Sequence, residues 1–459
     1  IKHNHPIQHA HLRGRKADAR RFIHGFEHVI GQRAQPITEV INRLGGFLEP
    51  GVGVQKDRTL HASDVSQADI PCNRGLAGST QSVSLHINGQ EHPMSFDEII
   101  DRRDTHCAKW DKMEAIYGVP AETGLAMWVA DMDFRPPQVV QDAVRDMHAH
   151  GVYGYFGDDS KYLGAIQWWM DNRHGWQVQP EWVFTTHGLV NGTAMCVDAF
   201  TAPGDGVVLF TPVYHAFARV IAAAGRRVVE CEMPQVEGRY VMDFDSWDAQ
   251  MTGTEKMLIL CSPHNPGGRV WTREELQGMA DFAKRHDLVL VSDEIHHDLV
   301  MPGKTHVPMA LVEGITDRLV MMTATTKTFN IAGSHSGNVI IEDADLRAKF
   351  GARMMALGLS PNSFGLFMAT AAYSEAGAAW VDDLVSYLDG NRQMFDAAVN
   401  AIPGLKSMPL EATYLAWVDF EDTGMERAEF TRRVEQDARI AVNHGPTRSE
   451  ATRLNSSHP

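Results

Sequence analysis

The chain has 459 residues, 44% of them apolar, and a formal net charge of −16. That length and apolar content can bury the cores of more than one domain, while the acidic balance argues against nucleic acid or an anionic membrane surface as the main partner. No apolar run approaches the ~20 residues of a membrane span; five scattered cysteines without a CxxC pair (Cys72, Cys107, Cys196, Cys231, Cys261) and the lack of an apolar leader point to a cytoplasmic protein with free thiols.

Residues 1–93 differ from the rest. They carry 11 Lys/Arg against 8 Asp/Glu, a net of +3, which leaves −19 for the remainder. They include the histidine-rich run "IKHNHPIQHAHLRGRK", a composition that can bind metal. The plainer expectation is a non-native or disordered extension. Within it, "FIHGFEHVIGQ" and "ITEVINRLGGFL" are expected as short helices. Composition and pattern change at Met94, where "MSFDEIIDRRDTHCAKWDK" begins, and the first domain is expected to start there.

From about residue 180 the pattern is α/β. After "EWVFTT" come the apolar runs "GVVLFTPVY", "RVVECEM", "KMLILCSP", "LVLVSDE", "RLVMMTAT" and "NVIIED". Short runs rich in Val, Ile and Leu with little alternation read as strands buried on both faces of a mostly parallel sheet. Between them "TREELQGMADFAKRHD" has a capping-box pattern at Thr272 and Glu275, then an apolar stripe of Leu276, Met279, Ala280 and Ala283. The expected fold is a doubly wound α/β sheet, whose ligands bind at the carboxyl ends of the strands.

Four strand ends carry candidate chemistry. Gly188–Asn191 turns into a helix whose free N–H groups suit a phosphate, although a plain βα turn fits equally. Tyr214, after a proline, can cover a planar ligand or sit in the core. Asn265 lies in the rigid "SPHNPGG" loop, which turn chemistry alone also explains. Asp293 ends a buried run, where a carboxylate is costly unless paired or hydrogen-bonded; a helix N-cap is the plainer role. Then comes "TATTKTFNIAG". Lys327 in an apolar strand-end setting loses solvation, so its neutral amine becomes accessible near neutral pH. Such amines attack carbonyls, and pyridoxal 5′-phosphate is the aldehyde cofactor that combines a lysine, a carboxylate at its pyridine nitrogen and a phosphate site. The parts in this order are specific in combination.

With "KWDK", "MWVADMDFRPP", "YGYFG", "TPVYHAF", "CSPHNPGGRVW", "SDEIHHDLV", "TKTFNIAG" and "TYLAWVDF", the chain resembles a fold-type I pyridoxal-phosphate enzyme of the aminotransferase class I/II superfamily. More narrowly, it is similar to the cystathionine β-lyase branch, the MalY/PatB-like C–S lyases, over roughly residues 94–446. The resemblance implies a large cofactor-binding domain at 141–375 and a smaller α+β domain built from 94–140 and 376–446, followed by an atypical tail at 447–459. Lys327 would carry the cofactor and serve as base at Cα. Asp293 would bind the pyridinium N–H, Asn265 the phenolic oxygen, and Tyr214 the ring face. Gly188 and Leu189 would hold the phosphate, His296 and Thr326 would complete the cofactor site, and Tyr155 would reach the phosphate of a neighbouring subunit, which makes a homodimer. His335 stands where many relatives have a phosphate-binding arginine.

The implied reaction is β-elimination from cystathionine or another cysteine S-conjugate, giving thiol, pyruvate and ammonia. An aminotransferase is the alternative, because the same parts serve both outcomes. A non-catalytic regulator or fragment is a third; residues 1–93 show no convincing helix-turn-helix. At the C-terminus Arg453, in "TRLN", matches the family's carboxylate-binding Arg-x-Asn, but with shorter spacing and no following helix. Weak amino-acid binding and slow turnover are therefore expected of the chain as it stands.

Overall fold

The computed structural model describes residues 96–445, together with residues 24–27, 43, 85–87 and 90–92. All seven apolar runs are strands: Val183–Thr186 (β1), Gly206–Thr211 (β2), Arg227–Glu232 (β3), Glu255–Cys261 (β4), Val289–Asp293 (β5), Leu319–Thr323 (β6) and Gly337–Ile340 (β7). They form one sheet in the order β1-β7-β6-β5-β4-β2-β3. β7 runs antiparallel to both neighbours and the other pairs are parallel. The carboxyl ends of the six parallel strands and the start of β7 therefore share one edge.

The lack of alternation in these strands has a direct cause. Met257, Ile259 and Cys261 of β4 pack with Leu189, Phe217 and Phe350 on one face of the sheet. Leu258 and Leu260 pack with Trp247, Met279 and Phe282 on the other. Each such side chain contributes about 1.5–3 kcal/mol when fully buried, so both faces demand apolar residues. The helix Arg273–Arg285 starts as its sequence indicates: Thr272 Oγ1 accepts from the Glu275 N–H (3.2 Å), and Glu275 Oε2 accepts from the Thr272 N–H (2.8 Å).

A second sheet has the order Lys406–Ser407, Leu415–Asp419, His24–Glu27, Ile440–His444, Leu125–Met127. The helix expected in "FIHGFEHVIGQ" is thus, at its described residues, a strand. Its backbone pairs antiparallel with residues 415–418 on one side and 443–444 on the other, and two ladders override the weak helical preference of a four-residue piece containing Gly25. Apart from Arg43, "ITEVINRLGGFL" lies outside the described residues. Leu125–Met127 runs parallel to Ile440–His444, and the segment after Met127 reaches the carboxyl edge of the large sheet, where the Ala130 carbonyl accepts from Lys327. Among the described residues, no helix is long and apolar enough to cross a membrane.

Candidate active site

The sheet edge brings the candidate residues together. After β1, Gly188 adopts φ +81° and caps the helix Leu189–Phe200, a backbone setting that favours glycine. β7 starts close by: a Cβ on Gly337 would lie 2.6 Å from the Leu189 side chain and 3.1 Å from the Gly188 carbonyl carbon. The first-turn N–H groups of the helix have no intrahelical acceptor, and its start leaves room for an anion there.

Two ionisable groups at this edge are strongly perturbed. Asp293, 5% exposed, ends β5. Its Oδ1 accepts from the Ile295 N–H at 3.2 Å, and turns rather than a helix follow, so it caps no helix. Burial pushes its carboxyl up to about 7; Glu294 adds to this, while the Ile295 N–H and Lys327 oppose it. Lys327 lies in the short helical turn Thr325–Thr328 after β6. Burial pulls its ammonium down to about 8, against the attraction of Asp131 and Asp293. Its Nζ donates to the Ala130 carbonyl at 2.5 Å.

Around this pair, buried polar atoms stand without partners. Asn265 is buried and its Oδ1 has no hydrogen-bond partner; the same holds for His296 Nδ1 and Thr325 Oγ1. Burial, then Lys327 and His297, hold the His296 imidazole down at about 3, so it is neutral. Tyr214 caps the helix His215–Ala223. Burial raises its hydroxyl pKa, and the negative charge of Asp293 raises it further. Thr326 and Leu189 are buried at the same edge. His335 is exposed, in a left-handed conformation at φ +47°. Tyr155 is fully exposed, at 104%. Arg453 lies outside the described residues.

Comparison with known proteins fits this geometry. The model of the aminotransferase class I and II family matches residues 128–458. The chain belongs to that family. Cystathionine beta-lyase PatB of Bacillus subtilis (strain 168) is 38% identical to it over 356 residues, 77% of this chain and 91% of PatB. Protein MalY of Escherichia coli (strain K12) is 30% identical, covering 78% of this chain and 92% of its own length. The crystal structure of cystalysin from Treponema denticola, which contains a pyridoxal 5′-phosphate cofactor, matches with a TM-score of 0.73 at 34% identity, over 77% of this chain and 90% of cystalysin. The α/β architecture is that of the family.

Sequence reasoning assigned no role to the segment that faces Lys327, residues 130–134. Arg102 forks onto Asp131 (2.9 and 2.8 Å) and also reaches Asp133 Oδ1 at 2.6 Å. Lys109 donates to Asp133 Oδ2 at 3.1 Å and to the Asp131 carbonyl at 3.0 Å. Asn330, three residues after Lys327, donates to the Met132 and Phe134 carbonyls (2.7 Å each) and accepts from the Met132 N–H at 2.8 Å. The Tyr414 hydroxyl donates to the Ala130 carbonyl at 3.1 Å. The signal was present in "MWVADMDF": two carboxylates in an apolar run need partners.

Proposed function

We propose that the chain is a pyridoxal-phosphate-dependent C–S β-lyase that cleaves cystathionine or related cysteine S-conjugates to thiol, pyruvate and ammonia. The observation that carries this reading is the edge itself. A lysine held near pKa 8 and a buried carboxylate sit among unpartnered polar atoms of Asn265, His296 and Thr325. A polar ligand that fills the edge would remove that cost, about 1–3 kcal/mol per buried group. The similarity to PatB, named a cystathionine beta-lyase, selects the reaction.

Pyridoxal phosphate, when bound at Lys327, supplies the electron sink for charge left on Cα. Asp293 would hold the pyridine N–H, and its ionisation is favoured once that cation sits beside it. Asn265 would hold the phenolic oxygen, Tyr214 the ring face, and Gly188, Leu189 and Thr326 the phosphate, with His296 completing the site. The depressed pKa of Lys327 leaves part of the amine neutral near neutral pH, and a neutral amine can take the Cα proton. A β-thiolate then leaves, the C–S electron pair departing with sulfur, and water hydrolyses the released enamine to pyruvate and ammonia. Tyr155, projecting into solvent, would complete the phosphate site of a second copy in a homodimer, and Arg453 would be the candidate for the substrate carboxylate.

The test is incubation of the cofactor-loaded chain with cystathionine, following pyruvate, ammonia and homocysteine together. Equal release of all three is expected. Amino transfer to an added keto acid without pyruvate release would replace the lyase by an aminotransferase.

A further inference from the structure

Behind Lys327 lies a second polar cluster that the proposed reaction does not use. Asp298 is buried, and its Oδ1 accepts from Trp169 Nε1 at 2.9 Å and faces His174 Nε2 at 2.9 Å. Its Oδ2 accepts from the Thr328 hydroxyl at 2.9 Å and lies 3.1 Å from His297 Nε2. Despite that distance His297, 2% exposed, makes no aligned hydrogen bond through Nε2. The rings of His174 and His297 are 4.4 Å apart, and one ligand atom from each of His174, His297 and Asp298 falls within 4.8 Å of the others. A cavity of about 410 Å³ borders all three.

We propose that His174, His297 and Asp298 bind a divalent transition cation of the Zn²⁺ class, with its fourth position open to this cavity. Two imidazoles and one carboxylate are a donor set for Zn²⁺ rather than for Mg²⁺ or Ca²⁺, which take oxygen ligands. The three ligands come from two separate elements. His174 ends the helix Ser160–His174, and the other two lie in the turns after β5. The Trp169 and Thr328 donors fix the carboxylate's orientation, as outer hydrogen bonds do around bound metals. A cation here gives the stranded His297 nitrogen a partner. His306, whose Nε2 lies 2.7 Å from Glu294 Oε2, stays outside the ligand set. Because Thr328 follows Lys327 directly, the site touches the reactive turn.

The experiment is equilibrium dialysis of the cofactor-loaded chain against Co²⁺, with bound metal counted and its d–d absorption recorded beyond the cofactor's band. His174→Gln and His297→Gln are compared with wild type and with His150→Gln, an exposed residue on the helix Gln138–His150. Histidines elsewhere contribute equally to all four. Wild type and His150→Gln should hold one more tight equivalent than the other two, whose affinity at this site should fall by about 100-fold or more, and Zn²⁺ should displace it. Equal counts in all four overturn the proposal. A crystal of the cofactor-loaded wild type soaked in Zn²⁺ checks this without a variant: an anomalous peak between the three side chains supports the site, and its absence overturns it.

Discussion

Two lysines, buried Lys109 and half-buried Lys327, face the same strip of chain, residues 130–133, and have opposite environments. Lys109 is 0% exposed and fully engaged: Asp133 and the Asp131 carbonyl accept from it, and Arg102 shares the same carboxylates. Lys327 is less buried, yet among the described residues its one hydrogen bond is to the Ala130 carbonyl, and its nearest carboxylates act only at longer range. The first lysine is neutralised in place and holds the strip. The second is desolvated without a close counter-ion, which lowers its ammonium pKa and suits the cofactor anchor proposed for it. What separates the two lysines is therefore the missing close partner rather than burial.

The hardest test of this contrast is Lys327→Ala. Losing both the cofactor anchor and the base should lower pyruvate release from cystathionine by about 10⁴-fold or more, and the visible band of the lysine-bound cofactor should vanish on dialysis. A variant that keeps the band and the turnover would move the chemistry elsewhere.

Asp293→Asn comes next. The variant should still bind cofactor while turnover falls by about 10²–10³-fold, the size of loss seen when one electrostatic partner is removed. Without cofactor the same change should act oppositely on stability. The Asp293 carboxyl is raised to about 7 in the folded chain against an ordinary value of 3.8. The native state then holds a proton that the unfolded chain has released, so stability is complete below about pH 4 and is lost as pH rises through 7. Three units correspond to about 4 kcal/mol. Cofactor-free Asp293→Asn should thus be more stable than wild type in urea at pH 8 and equal to it at pH 4. A gap that does not change with pH would show that Asp293 is not held protonated.

For the engaged lysine, Lys109→Met should cost stability more than chemistry. Removing one partner from a buried ion cluster costs about 3–5 kcal/mol, and Arg102 remains to reduce that toward the lower figure. Urea unfolding should show the loss, and Asp133→Asn in the same chain should return part of it. A large fall in turnover with unchanged stability would reverse the roles assigned to the two lysines.

What could be read in advance follows from what each signal depends on. The seven strands were legible because both faces of the sheet are buried, which writes unbroken apolar runs into the sequence. Lys327, Asp293 and Asn265 could be placed at the strand ends in advance because each ends or follows such a run. The strand at His24–Glu27 was not, because its place depends on ladders to residues about 390 positions or more away, and its own four residues carry no pattern. The Arg102–Asp131–Asp133–Lys109 network was half legible: the carboxylates looked costly, but nothing in their spacing named the cations. His297 was quoted within "SDEIHHDLV", yet only folding brings His174 to it.

The smallest effect is expected at the periphery. Truncation before Met94 tests whether the first 93 residues are an extension or, through His24–Glu27, part of the second sheet: removing a strand paired on both sides should lower the melting temperature, and an unchanged melting temperature would make the segment a dispensable extension. Tyr155→Phe then probes the neighbouring subunit. A phenol that donates to a phosphate across a homodimer contributes about 1.5–3 kcal/mol as a hydrogen bond to a charged group, so its loss should weaken cofactor affinity by roughly tenfold to a hundredfold. Stability should hardly change, because Tyr155 is fully exposed within its own chain. Turnover at saturating cofactor should stay close to wild type. Fluorescence titration of the cofactor-free variant, with the oligomeric state measured alongside, gives the answer. Unchanged affinity in a dimer would place the phosphate out of reach of Tyr155, and the shared site would lose its cross-subunit contact.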